Sequence, residues 1–265
     1  MEASWLGALG ARSAIRSGLL LTSPLDDRIR SMVENIVHPV GDRMIDFVFP
    51  VVAVKRVDHQ TLDYRGLLGT GFLVKNGDGL GLTAGHVADN IVTDRAAALF
   101  RDVAGVWQPR AITIIDRHAN DDLALIRVEG ITWQSALFVT SAAEHGSAHY
   151  SMWGYPLDVT NEQEENGRIA PRPDLIFSEG HIRRRLTDIK FRGITGRKMY
   201  ELSNVAGSGC SGSPVCIRQP GRHPFEVIGV YIGERYSEAD HVSVAFAVRS
   251  EAILDVWPHI GSLAA

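Results

Sequence analysis

The chain has 265 residues, 45% of them hydrophobic and 22% charged, which is enough to bury one large core or two modest ones and rules out a disordered chain. Its 27 Lys and Arg against 31 Asp and Glu leave a net charge of −4, so no global positive field draws it to nucleic acid or anionic lipid. No apolar run reaches the roughly 20 residues of a membrane helix, and two cysteines in one segment, Cys210 and Cys216, cannot staple a fold of this size. The expected class is a soluble protein held together by its core, binding neither nucleic acid nor membrane.

The N-terminal stretch is mildly apolar, but Glu2, Arg12 and Arg16 interrupt it where a signal peptide needs a continuous run, so a cytoplasmic protein is expected. Residues 24–37 place Leu25, Ile29, Met32, Val33 and Ile36 at spacings of three and four behind Ser23 and Pro24, the pattern of an amphipathic helix. From Asp46 onward short aliphatic runs separated by Gly, Asp and Asn predict a many-stranded β region. The strands thin out between Gly130 and Tyr150 and then return, which suggests two β halves. Residues 161–166, NEQEEN, read as an exposed acidic loop, and the seven basic residues between Arg183 and Lys198 as the solvated face of a hairpin. At the C-terminus Ser250 is placed to cap a helix carrying Ile253, Leu254 and Trp257 on one side.

Three short motifs follow one another in this β region: TAGH at 83–86, Asp122 ahead of an apolar strand, and GCSGSP at 209–214. A serine hydroxyl is a weak nucleophile at neutral pH and needs a base for its proton, which in turn needs an acid partner to fix its tautomer. His86 and Asp122 supply that pair for Ser211. Gly209 lets the backbone turn so that its own N–H and that of Ser211 point at a developing oxyanion, and Gly212 leaves room beside the hydroxyl. Asp121 and Asp122 point opposite ways on an extended chain, so only one of them faces the histidine. Cys210 lacks the flanking glycines that Ser211 has, and is expected to be a packing residue. His145 and His149 have helical metal-ligand spacing but no partner Glu or Cys, and the GDGLG run at 77–81 leads into a strand rather than a phosphate-binding helix. No metal and no cofactor is expected.

These motifs, in this order, resemble those of the chymotrypsin-like (trypsin-fold) serine peptidases. His86 to Asp122 spans 36 residues and Asp122 to Ser211 spans 89. The GTGF segment Gly69–Phe72 is similar to the disulfide-free bacterial branch, the glutamyl endopeptidases and high-temperature-requirement proteases. The resemblance selects Asp122 over Asp121, leaving Asp121 in a turn or solvent. It implies an all-β fold of two packed six-stranded antiparallel β-barrels with an N-terminal helical extension and a C-terminal helix. The divisions would be 1–45, the extension; 46–140, the first barrel with His86 and Asp122; and 141–265, the second barrel with Ser211 and the helix. By the same register Val205 lies at the base of the substrate pocket, so the charge that selects Lys or Arg is missing there. Tyr231, Ile232, Gly233 and Glu234, with Val244 nearby, form the substrate-facing edge of a neutral pocket. Tyr231 stands where glutamyl endopeptidases have a histidine. The implied function is a serine endopeptidase acting on polypeptides. The alternative is a latent regulatory module, inactive in isolation and opened by a protein partner at the N-terminal extension.

Overall fold

The computed structural model describes residues 44–261 apart from short stretches at 57–61, 76–77, 103–104, 142–143, 166–167, 192–193, 218–224 and 238–241. The helix expected at 24–37 therefore lies outside the described residues. Six strands form the first half: β1 (Val48–Arg56), β2 (Leu62–Leu73), β3 (Leu80–Ala84), β4 (Ala96–Arg101), β5 (Trp107–Arg117) and β6 (Leu123–Val128). They close into an antiparallel barrel in the order β1-β2-β3-β6-β5-β4. Period-two alternation and small residues decide how this barrel fills. Phe72, Leu82 and Leu125 stand beside one another on one face of the barrel wall and Phe49 stands on the other, opposite Gly71. All four are completely or almost completely buried, and Gly71 yields the space that the Phe49 ring takes, since a Cβ there would sit 2.7 Å from it.

The expectation of a second six-stranded antiparallel barrel is not met. Seven strands make up the second sheet: β7 (Phe138–Val139), β8 (His149–Gly154), β11 (Ile176–Phe191), β12 (Ile194–Leu202), β13 (Pro214–Ile217), β14 (Glu226–Ser237) and β15 (Val242–Arg249). Their order is β13-β8-β11-β12-β15-β14-β7, with a further pairing of β13 to β14. The departure comes from Leu137 and Val139, both fully buried. Burying that segment obliges its backbone to find partners, and it does so in parallel along β14, Phe138 N–H to Phe225 O at 3.3 Å and Thr140 N–H to Val227 O at 3.1 Å.

Two local expectations are also corrected. Residues 161–166 do not form a loop throughout: β9 (Thr160–Glu165) pairs with β10 (Arg168–Pro173) in a separate two-stranded hairpin. Pro171 and Pro173 are tolerated in β10 because a two-stranded hairpin gives each strand an edge. The C-terminal helix spans Ser250–Val256, yet Ser250 is its first helical residue, the N-cap is Arg249, and no side chain caps it. Of the basic residues in the β11–β12 hairpin, Arg183 and Arg184 pair with the buried Glu201, Arg185 with Glu251, and Lys198 with Asp255. Among the described residues no helix is long and apolar enough to cross a membrane.

Candidate active site

The barrel register brings the first two motifs together. Strands β3 and β6 pair Thr83 with Ala124 and Ala84 with Leu123, so the residues just past each strand end, His86 and Asp122, meet at one rim. Gly85 makes the approach feasible: a Cβ there would lie 2.8 Å from Asp122 Oδ1 and 3.1 Å from Leu123 N. His86 sits in a short helical turn, Gly85–Ala88. Arg117 at the end of β5 holds that turn by donating to Ala88 O at 3.1 Å and Asp89 Oδ1 at 2.5 Å.

Asp122 grips His86 twice. Its Oδ1 accepts the His86 backbone N–H at 2.7 Å, and its Oδ2 lies 2.6 Å from ring Nδ1. An ionised carboxylate only accepts, so Nδ1 carries the proton and Nε2 is left as the basic nitrogen. The hydrogen bond to Asp122 raises the His86 pKa above the ordinary value of about 6.5; burial opposes the shift, and the charges of Asp122 and Asp89 add to it. Because the folded-state value lies above the unfolded one, the pair stabilises the fold fully below the unfolded pKa and loses that contribution as pH rises through the raised value. The neutral base needed for catalysis is the form above it. An NMR titration of the His86 ring is expected to give a midpoint above 6.5, and Asp122→Asn to lower it. Equal midpoints in the two proteins would show that Asp122 does not govern this histidine.

Asp121 takes no part in this grip; it lies in the bend between β5 and β6, as anticipated for a turn residue, but it does not face solvent. It is buried, lies 3.2 Å from His118 Nδ1, and accepts the backbone N–H of Arg197 on the β12 hairpin at 2.5 Å. His118 in turn lies 3.2 Å from Ala252 O in the C-terminal helix. A buried carboxylate with partners on both sides ties the turn before Asp122 to the second sheet.

Ser211 reaches the same cleft from the second half, held by the first. Thr70, in the middle of the GTGF segment, donates its backbone N–H to Ser211 O at 2.8 Å and its hydroxyl to Gly209 O at 2.9 Å. The same hydroxyl accepts the Tyr155 N–H at 3.0 Å, while Thr83 Oγ1 donates to Thr70 O at 2.7 Å. Sequence reasoning placed Thr70 and Thr83 inside motifs but gave them no role; the available signal was a threonine set in an apolar strand, where a buried hydroxyl demands a partner. Gly212 adopts φ +95°, and a Cβ there would lie 1.9 Å from Thr70 O.

The Gly209 peptide is also fixed. Ser208 O accepts the Leu157 N–H at 2.7 Å, and in a planar trans peptide the Gly209 N–H must point the opposite way. Among the described residues nothing accepts the N–H of Gly209 or Ser211, so both amides are available to an oxyanion. The Ser211 hydroxyl does not bond to His86; it donates to Ile232 O at 3.4 Å. Cys210 is buried with Sγ bonded to Ala206 O at 3.2 Å. Burial first, then the charges of Glu234 and Asp158, push its thiol up to about 12, so it carries no thiolate near neutral pH.

Of the anticipated substrate-facing residues, Val205 packs with the buried group that includes Tyr231, Tyr200 and Cys210. Tyr231 and Ile232 are buried, Gly233 is half-buried with φ +140°, and Glu234 is exposed. Val244 packs on the other face of β15, with Phe246 and Val248; Ala245 and Ala247 are the β15 residues that share the Val205 side. Among the described residues, no group of three His, Cys, Asp or Glu side chains is placed to hold a metal ion. His149 instead stacks edge-on with His181, ring centres 5.3 Å apart.

Residues 69–230, more than half of the chain, match the family model described as a trypsin-like peptidase domain. No curated protein matches the sequence. Among solved structures, the Rv3671c protease of M. tuberculosis in an inactive form is 17% identical, with TM-score 0.52 over 82% of this chain and 90% of that one. The MamO protease domain from Magnetospirillum magneticum, apo form, is 13% identical, with TM-score 0.53 over 78% of this chain and 95% of that one. The HtrA-type protease AlgW with a decapeptide is 13% identical at TM-score 0.57; 82% of this chain aligns, spanning 64% of AlgW. At such identities the likeness concerns the fold.

Proposed function

The chain belongs to the trypsin-like peptidase domain family, and from that membership we propose that it is a serine endopeptidase resting in a latent state. Ser211 Oγ attacks the scissile carbonyl carbon and its proton passes to His86 Nε2 while Asp122 holds the ring. The N–H groups of Gly209 and Ser211 take the charge on the carbonyl oxygen. His86 then returns the proton to the leaving amine, and water releases the acyl group by the same route in reverse. An extended polypeptide pairs its backbone along Ile232–Glu234, since the Tyr231 N–H and carbonyl are already bonded to Ser213 O and Gly212 N–H.

The observation that carries latency is the Ser211 hydroxyl, bonded to Ile232 O and not to His86. The base, its acid partner and the oxyanion amides support chemistry once that hydroxyl rotates, and a polypeptide laid along the Ile232 edge is a natural trigger because it competes at that strand. A regulatory protein acting through the N-terminal extension is the second proposed trigger. A constitutively active peptidase is the other reading, and the fixed Gly209 peptide favours it.

Intact-mass detection of a fluorophosphonate adduct separates the two. Latency predicts slow modification of Ser211 that an added extended peptide accelerates, with none in Ser211→Ala. Prompt stoichiometric labelling of the isolated chain would sink latency and leave the constitutive reading. No adduct under any condition would remove the nucleophile assignment itself.

A further inference from the structure

Two segments face each other beside Ser211: the loop Val205–Gly209 that leads into it, and the strand edge Tyr231–Glu234. Hydrogen bonds link them at two points, and a third ties Glu234 to Tyr231 within the strand edge. The Tyr231 hydroxyl accepts the Ala206 N–H at 3.4 Å and donates to Glu234 Oε2 at 3.1 Å, and the Gly207 N–H reaches the same Oε2 at 3.3 Å. Tyr231 is fully buried, in the packed group that Val205 and Ala206 join. Glu234 is exposed, and among the described residues its Oε1 has no partner.

We propose that Glu234 is the residue that sets substrate choice, its carboxylate receiving the ammonium or guanidinium of a Lys or Arg immediately before the scissile bond. This deepens the peptidase reading and rests on Ser211 as the nucleophile. Two donors on Oε2 hold the carboxylate in one orientation before substrate arrives, so little ordering is left for binding to impose. Tyr231 occupies the region beside Val205. A long cationic side chain whose methylene stem crosses the half-buried Val205–Gly207 loop and ends at Oε1 suits this site; one that must plunge toward Val205 does not, because the buried Tyr231 phenol fills that region. The surroundings are acidic as well. Glu234 and Asp158 both act on the Cys210 thiol, and no cation is among the groups that shift either Cys210 or Tyr231. Arg235, next on the strand, alternates to the other face.

The test uses the full chain and p-aminobenzamidine, an aryl amidine whose fluorescence reports occupancy of the pocket without turnover. Wild type and Ser211→Ala are expected to bind it alike, Glu234→Gln to weaken binding by about tenfold or more, and Glu234→Lys to abolish it. In parallel, the rate of Ser211 modification by peptidyl phosphonates carrying Lys or Leu at the residue before the phosphorus gives a selectivity ratio. That ratio favours Lys in wild type and falls toward about one in Glu234→Gln. Both substitutions replace an exposed side chain, and matching melting temperatures show that the fold is kept. Absence of amidine binding in wild type, or binding and selectivity equal in wild type and Glu234→Gln, would overturn the proposal. Amidine binding that depends on Glu234 without any phosphonate adduct would uphold the site and remove Ser211 as the nucleophile, so the two readings fail separately.

Discussion

Replacing Asp122 by Asn is expected to slow modification of Ser211 and hydrolysis of ester substrates by about four orders of magnitude, the loss this replacement produces in the general Ser-His-Asp template. The two bonds at Asp122 explain why an isosteric change is so severe. Oδ1 accepts the His86 backbone N–H at 2.7 Å, a fixed donor, so the amide oxygen of an asparagine must take that position. The amide NH2 then faces ring Nδ1, where Asp122 Oδ2 lies at 2.6 Å. A donor there forces Nδ1 to accept and moves the ring proton to Nε2, the atom that must take the proton of Ser211. The geometry survives and the base is lost. Rates compared under identical conditions, with the melting temperature as control, check this; a loss of less than about a hundredfold would show that Asp122 does not set the tautomer.

Gly212→Ala is expected to have the largest effect on stability. A Cβ there would lie 1.9 Å from Thr70 O and 2.5 Å from Thr83 Oγ1, both on the first barrel, and the residue holds φ +95°. Left-handed strain costs about 1–3 kcal/mol by itself, and the clash falls on backbone that is already bonded to Thr83. The total should exceed about 4 kcal/mol, a range confined to a few mechanisms of this kind. Gly105→Ala is the matched control. Gly105 has φ +78°, and a Cβ there would meet nothing within 4 Å, so only the backbone strain remains. Denaturant melts of the two variants measure the difference; equal losses would mean that the Thr70 contact yields easily.

The first half was legible because one strand register decides it. TAGH and the Asp122 segment flank short apolar runs that read directly as buried strands, and pairing Ala84 with Leu123 brings His86 and Asp122 together with no further information. The nucleophile loop was legible from its glycines. The second sheet was less so, since the parallel addition of Phe138–Val139 depends on where a two-residue strand finds backbone partners far away in the chain. The turn at Asp121 was legible but its burial was not, because its partners, His118 and the Arg197 amide, come from a loop before it and a hairpin far after it. The role of Glu234 likewise depends on the β14 irregularity between Tyr231 and Gly233, which turns its side chain back to the face of Tyr231. A strict period of two cannot foresee that.

The bonds from Thr70 to Ser211 and Gly209 also set the order in which hazard arises as the chain is made. The nucleophile is synthesised well after the barrel that positions it, and β14, which supplies the Ile232 and Glu234 edge, follows later still. A ribosome-bound fragment ending before Ser211 carries His86 and Asp122 but lacks the nucleophile. A fragment ending just after Ser211 has a nucleophile but no strand edge on which to lay a substrate. Under the proposed function, the parts that cleavage needs are therefore all present only once β14 has been made.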